Sequence, residues 1–521
     1  MSSALELPEI AAHVGLYLSR RQLATLMQVC KTWNYSFAPL LYRACTIYGN
    51  QSKSLSLDTI NKYASSIRDL SYEGCLDPSV FSPECSQLVS LTISGRLGRK
   101  TDRPLEISTL ISQVIRNNSN NLKTFSLQNE PTLSSRGLWV ALADCPNMSH
   151  IEVENLIILP EDMDVFWKAC SMVETLSIVS TMVTLELNRP EEATPSARFP
   201  ALQRLKIALS EDSTDETHFA ILLNAPNLKS LDWRGKITTL FPIDRYRRMM
   251  SQRLLPKLQR LRMSSYQLSD QDIALSLDAM TDARELNMRF SIFSDKAYQS
   301  LMSRHATTIR VLIFNVANFP TSAMVQSILS SCFSLEILEA RLISGTDLVR
   351  IGQVEQDGAN GPETTENIFL GDDWVCLGLK SLTVNFEMTD NSNREELDDP
   401  IGVERLERQH KLEQVHVFRQ LSRLTRLEKV NIRSMHKHSQ SLDLRLESRG
   451  GGLDKLASLK RLEWFQFDWT AQELSREEID WMLEHWPRLR IVIGTYHRDT
   501  EKDRGMQEYF GERLRLRNIE Y

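Results

Sequence analysis

No stretch of the chain approaches the roughly 18 uninterrupted apolar residues that a bilayer-spanning helix needs, so no membrane partner is expected. Residues Met1 to Ile10 lack a basic start followed by an apolar run, so no secretory signal is read there. Cys-x-x-Cys is missing too. The eight cysteines are scattered, which points to reduced thiols in a cytoplasmic or nuclear protein rather than to a disulfide frame. There is no surplus of basic charge. With 61 Lys and Arg against 67 Asp and Glu, the net charge is −6, which argues against a nucleic-acid partner. Aromatics at 7% and a hydrophobic share of 42% argue against general disorder.

Signatures of catalysis are missing as well. Gly95-Arg-Leu-Gly98-Arg-Lys100-Thr101 has two residues between its glycines, where a phosphate loop needs four, and reads as a basic surface loop. His410, His416, His436 and His438 have no Cys or acidic partners at zinc spacing, so no metal is expected. No Gly-x-Ser-x-Gly is present, and Glu161, Asp162, Asp164, Asp372 and Asp373 lack a positioned second pair. No catalytic residue, no cofactor and no enzymatic activity are expected.

What the chain does have is a repeat. The pattern apolar-x-x-apolar-x-apolar stands at Leu88/Leu91/Ile93, Leu122/Phe125/Leu127, Met148/Ile151/Val153, Val173/Leu176/Ile178 and Leu202/Leu205/Ile207. It continues at Leu228/Leu231/Trp233, Leu258/Leu261/Met263, Ala283/Leu286/Met288, Ile309/Leu312/Phe314 and Leu335/Leu338/Ala340. From Leu122 to Leu335 the steps are 26, 25, 29, 26, 30, 25, 26 and 26 residues. Weaker copies begin at Ile67, Leu379, Leu427, Leu462 and Leu489, for about fifteen units in all.

Alternation predicts a short strand in each copy. Stretches such as Leu105–Ile115 and Ala323–Cys332 have helical spacing between the strands. A single strand–helix unit cannot bury its own apolar face, but stacked units can. Cys145, Cys170 and Cys332 each fall three residues before a strand motif, which reads as structural buried thiol.

These motifs resemble the leucine-rich repeat family over about residues 66–495, in the class with a helix on the convex side. The family's Asn or Cys after the third apolar position is mostly missing. The resemblance implies an α/β solenoid: a curved array with parallel strands on its concave face and helices on its convex face.

Residues 5–43 lie outside the repeat. Three short helices are expected, with apolar faces Ile10/Val14/Leu18, Leu23/Leu26/Val29/Cys30/Trp33 and Phe37/Leu40/Leu41. Forty residues make a poor independent core. The Leu7-Pro8 start, Glu9-Ile10, Val29-Cys30-Lys31-x-Trp33 and the Leu40-Leu41-Tyr42-Arg43 close resemble an F-box, with one residue fewer between Pro and Glu than the family usually has.

The expected domains are an F-box-like helical module at 1–50, a connector at 51–65, a repeat solenoid at 66–499 and a charged tail at 500–521. Insertions are placed at 345–378 and 386–426. In them Gln356–Glu366 and Asp390–Pro400 read as loops, and Val403–Leu424 as a helix.

An F-box before leucine-rich repeats implies a substrate receptor of a Skp–cullin–F-box ubiquitin ligase. The resemblance places Leu7, Pro8, Ile10, Leu23, Val29, Cys30 and Trp33 on the Skp-type adaptor face, and through the adaptor a cullin. The client would meet the concave strands. There Arg204, Lys206, Arg234, Arg260, Arg262 and Arg289 form a basic set suited to an acidic or phosphorylated protein. Arg204, Arg234, Arg260 and Arg289 are expected on adjacent rungs. The alternative is a repeat scaffold, regulator or inhibitor that meets no ligase. A GTPase-activating repeat protein usually adds an acidic tail, whereas this tail carries Lys502, Arg504, Arg513, Arg515 and Arg517.

Overall fold

The computed structural model describes residues 7–48, 57–76, 85–97, 104–129, 135–183, 199–209, 219, 221–234, 243–264, 268–289, 291–315, 320–356, 363–389, 400–432, 442–468, 470, 472–497 and 499–516. The chain divides into two compact units, Met1–Leu258 and Gln259–Tyr521.

In the first unit three helices come first: α1 (Pro8–Gly15), α2 (Arg20–Leu26) and α3 (Lys31–Leu41). A parallel ladder follows, made of β1 (Ala44–Tyr48), β2 (Asp69–Leu76), β3 (Ser90–Leu97), β4 (Thr124–Gln128), β5 (His150–Glu154), β7 (Thr175–Val183), β8 (Arg204–Leu209) and β9 (Ser230–Arg234). The short β6 (Ile157–Ile158) pairs with the end of β7. Helices α4 (Leu57–Tyr63), α5 (Pro104–Asn117), α6 (Arg136–Ala143), α7 (Met163–Cys170) and α8 (Ile243–Ser251) alternate with the strands. The ladder starts earlier than the repeat pattern located it. In β1 only Cys45 and Ile47 are buried, two apolar positions without the leading anchor of the full motif.

The second unit has the same build. Its parallel ladder runs β10 (Arg260–Ser264), β11 (Glu285–Arg289), β12 (Val311–Asn315), β13 (Ile337–Ser344), β16 (Ser381–Glu387), β17 (Lys429–Asn431), β18 (Trp464–Phe467) and β19 (Ile491–Gly494). Between them come α9 (Asp270–Ala279), α10 (Asp295–His305), α11 (Ser322–Ser331), α12 (Gly345–Leu348), α13 (Pro400–Arg423) and α14 (Arg476–His485), with α15 (Thr500–Leu516) last. Both units are α/β solenoids.

The anchors of the ten regular copies are all core positions, whereas Val492 and Gly494 of the last weak copy are only half-buried. Leu122, Phe125 and Leu127 are buried, as are Ile309, Leu312 and Phe314. Helices add Ile111, Val114, Trp139, Phe166, Ile273, Leu277 and Leu301 to the buried set. Polar side chains tie neighbouring repeats. Asn118 accepts from the Leu88 N–H at 2.6 Å and donates to the Cys85 carbonyl at 2.6 Å. Asp270 accepts the N–H groups of Ser294 (2.7 Å) and Ala297 (3.1 Å) one repeat on. Asn147 and Asn227, each one residue before a strand motif, donate to Asn120 and Pro200 carbonyls of the preceding repeat, both at 2.7 Å.

The insertions differ from expectation. Gln356 and Glu363–Glu366 are not loop but strand: β14 (Val349–Gln356) and β15 (Glu363–Leu370) pair antiparallel. The Gly, Asn and Pro residues fall in 357–362, outside the described residues, and the flanks are rich in strand formers. Of the Asp390–Pro400 loop, 390–399 lie outside the described residues and Pro400 opens α13. Along α13, Val417, Phe418 and Leu421 are buried while Val415 is exposed. The inner face is partly polar: Glu413 accepts Thr389 N–H (2.8 Å), Thr389 Oγ1 (2.6 Å) and Gln409 Nε2 (2.7 Å). A Cβ at Gly345 would collide with that carboxylate, so glycine allows the approach. Finally, α15 buries Phe510 and Leu514, while Tyr509 Oη donates to Asp480 at 2.9 Å and Arg513 Nε lies 2.9 Å from it. The helix packs against α14 of the last repeat.

Candidate partner-binding surfaces

The helical module folds around few side chains. Ala11, Leu23 and Phe37 are buried, with Leu18, Leu26, Met27, Trp33, Leu40 and Leu41 packed against them. Pro8 sits in the first turn of α1, where its missing N–H costs nothing. A Cβ at Gly15 would collide with Leu40, so glycine lets α1 lie close on α3. Ser19 and Gln22 form a capping box on α2, with the Ser19 N–H donating to Gln22 Oε1 at 2.8 Å. The Cys30 sulfur accepts the Trp33 N–H at 3.4 Å and caps α3.

That cap changes the sequence reading. Leu23 through Trp33 is not one helix. Chain breaks helical form after Leu26, and Val29 and Cys30 stand on an exposed turn. The face of α1 is also reversed: Ala11 and Gly15 point inward, while Ile10 and Val14 point out. A stripe of Leu7, Ile10, Val14 and Tyr17 is therefore exposed. Of the residues assigned to an adaptor face, Leu7 (50% exposed), Ile10 (40%) and Val29 (61%) are open, as are Pro8 and Cys30. Leu23 is 4% exposed and belongs to the core. Trp33 packs edge-to-face on Phe37 with ring centroids 5.9 Å apart and is half-buried. Val14 and Tyr17 extend the stripe, and their helical spacing from Ile10 was the available signal; Leu16 and Tyr35 of the module are exposed as well.

On the strands, residues between the apolar anchors form rows across neighbouring rungs. In the first unit one row reads Asp69, Ser90, Thr124, His150, Thr175, Arg204, Ser230, and the next Ser71, Thr92, Ser126, Glu152, Ser177, Lys206, Asp232. Both rows are polar throughout. Burial, and then the nearby Arg204, pull the His150 pKa below its ordinary value.

The arginines do not share one rung position. Arg204 is level with Ser230, and Arg234 with Ala208. Likewise Arg260 is level with Glu285, and Arg289 with Ser264. Arg204 and Arg260 precede the second anchor of their motifs, whereas Arg234 and Arg289 follow the third. Four residues along a strand is about 13 Å. Two basic groups are also neutralised locally: Arg234 lies 3.2 Å from Asp232, and Arg262 is paired with Glu285. Arg204, Lys206 and Arg260 make no ion pair among the described residues.

The second unit's face carries apolar side chains that sequence reading passed over. Its rows read Arg260, Glu285, Val311, Ile337, Ser381 and Arg262, Asn287, Ile313, Glu339, Thr383. Val311, Ile313 and Ile337 are half-buried neighbours on β12 and β13. The signal was present: both motifs have an aliphatic residue where other copies have a polar one.

Burial raises the thiols of Cys145 to about 11 and of Cys332 to about 12, which keeps them protonated and poor nucleophiles. Among the described residues no group of three or more His, Cys, Asp or Glu side chains is arranged to hold a metal, and no helix is long and apolar enough to cross a membrane. His436 and His438 lie outside the described residues, as do Gly98–Thr101.

No protein-family model and no curated protein matches the chain. Among solved structures it is similar to the TLR13–ssRNA13 complex, with 12% identity over 88% of this chain and 59% of that chain and a TM-score of 0.34. It is similar to the Rad7–Elc1 complex in yeast, with 11% identity, 94% and 88% coverage and a TM-score of 0.34. For the Toll–Spatzle complex of Drosophila the values are 9%, 89%, 55% and 0.36. The chain spans less than two thirds of the length of the first and third.

Proposed function

We propose that the chain is a non-enzymatic substrate receptor of a cullin-RING ubiquitin ligase. Its N-terminal module docks on a Skp-type adaptor and its repeat strands hold a protein client. The observation that carries this is the exposed apolar set Leu7, Ile10, Val14, Tyr17 and Val29 on a module whose own core is small. Open apolar surface of this kind marks an interaction site. Arg204, Lys206 and Arg260, free of ion pairs among the described residues, suit an acidic client. The test is capture of the host's Skp-type adaptor by the full chain, with Ile10→Glu/Val29→Glu as control. Both positions are exposed, so the variant folds. Capture by the wild type and loss in the variant support the reading; no capture by the wild type overturns it.

A second reading has its own observation. Arg20 donates to the Ala44 carbonyl of β1, and Tyr42 stacks on Tyr63 with centroids 4.2 Å apart. The module is thus tied to the start of the ladder, as a cap of a ligase-independent scaffold would be. Wild-type chain that captures no adaptor favours this reading.

A further inference from the structure

We infer that the strand face of the second unit takes an extended protein segment carrying a carboxylate side chain three residues away from an aliphatic or aromatic one. Arg260 would hold the carboxylate, and Val311, Ile313 and Ile337 would seat the apolar side chain. This rests on the client-binding part of the proposed function and gives the client its chemistry.

The geometry comes from the ladder. Arg260, Glu285, Val311 and Ile337 follow one another in register on β10 to β13. Parallel strands are spaced about 4.8 Å apart, so Arg260 and Val311 lie about 10 Å apart across two rungs. An extended peptide advances about 3.3 Å per residue, so residues i and i+3 match that span.

The chemistry at each end differs. Arg260 is exposed and makes no ion pair among the described residues, while Arg262 is already engaged by Glu285. Glu285 lies between the two ends and is neutralised by Arg262 on β10, so the two intervening residues meet no net charge. Val311, Ile313 and Ile337 point away from the core, which is filled by Leu312, Phe314 and Leu338 on the opposite side of the same strands. Partly open aliphatic side chains side by side gain free energy when a partner covers them. Desolvated apolar anchors dominate the strength of such contacts, and the charge sets their specificity.

The test uses the full chain and fluorescein-labelled peptides Gly-Ser-Glu-Gly-Ser-Phe-Gly-Ser and Gly-Ser-Phe-Gly-Ser-Glu-Gly-Ser, which present the two orders. Fluorescence anisotropy gives Kd. One order is expected to bind about tenfold tighter than its Glu→Gln or Phe→Ser control. Arg260→Glu should weaken that peptide by about tenfold and restore binding to the version with Lys in place of Glu. Val311→Thr/Ile337→Thr keeps the β-branched shape and should weaken binding about fivefold or more. The inference is overturned when neither order beats its controls, or when binding ignores both sets of variants. Adaptor capture is measured on the same proteins. Capture retained without peptide binding removes this inference alone; peptide binding without adaptor capture removes the ligase reading alone.

Discussion

The N-terminal helices and the repeats behind them handle apolar surface in opposite ways. The module buries Ala11, Leu23 and Phe37 and leaves Leu7, Ile10, Val14, Tyr17 and Val29 open. A single repeat around β5 buries Ile151, Val153, Phe166, Trp167, Cys170 and Val173. The difference lies in neighbours. Each repeat shares its core with the repeats on either side, so its apolar face is covered without a partner. The module is too short to enclose its own. The module leaves open a surface of the kind that the repeat around β5 closes.

Trp139 and Trp33 put this contrast to the hardest test. Trp139 is fully buried and packs edge-to-face on Phe166 with centroids 4.8 Å apart. Trp139→Ala should cost about 3–5 kcal/mol in urea unfolding. Trp33→Ala, at a half-buried site, should cost clearly less. Equal losses would mean that the module is as well packed as the array.

Glu478 comes next. It is buried and accepts from Ser475 Oγ at 2.6 Å, Ser475 N–H at 2.7 Å and Leu446 N–H at 3.3 Å, with Arg449 at 2.6 Å. Burial alone would raise its carboxyl, but these hydrogen bonds and Arg449 hold it below the ordinary 4.5. The lowered folded value means that its stabilisation is present above pH 4.5 and is lost as pH falls through the folded value. Glu478→Gln should cost about 1–3 kcal/mol at pH 7 and flatten Tm against pH in the acid range. An unchanged acid slope would remove Glu478 from the network's pH response.

Ser269 caps α9 in a capping box with Asp272, whose carboxylate accepts the Ser269 N–H at 3.0 Å. Ser269→Ala should lower stability by about 1 kcal/mol, read as a fall in Tm. The smallest effect on stability belongs to Ile10→Glu/Val29→Glu, within about 0.5 kcal/mol in the same urea assay, while adaptor capture is lost. A large destabilisation there would show that these side chains are core, and would close the gap between the two regions.

Much of the ladder was legible beforehand because its cause is local. Each motif has three apolar positions whose alternation makes a strand, and equal steps stack those strands in register. The buried thiols at Cys145, Cys170 and Cys332 follow from the same periodicity. The candidate surfaces were less legible. Val29 and Cys30 read as a helix continuation because helical spacing runs through them, and the Cys30 cap that starts a new helix there is a single sulfur contact. The arginines read as adjacent when counted by residue type; their position within each motif, four residues apart, sets their register.

By itself, then, the sequence determined the repeat, its strands and its core, since hydrophobic spacing along the chain specifies those without reference to anything distant. Tertiary structure alone decided which side of α1 faces inward, since Ala11 and Gly15 offer the close fit against α3 that Ile10 and Val14 are too large to make. It also decided that the first insertion is a hairpin and that Val311, Ile313 and Ile337 meet on one open face. Those outcomes depend on which strands pair and in what register, and pairing energy is not written in any one segment.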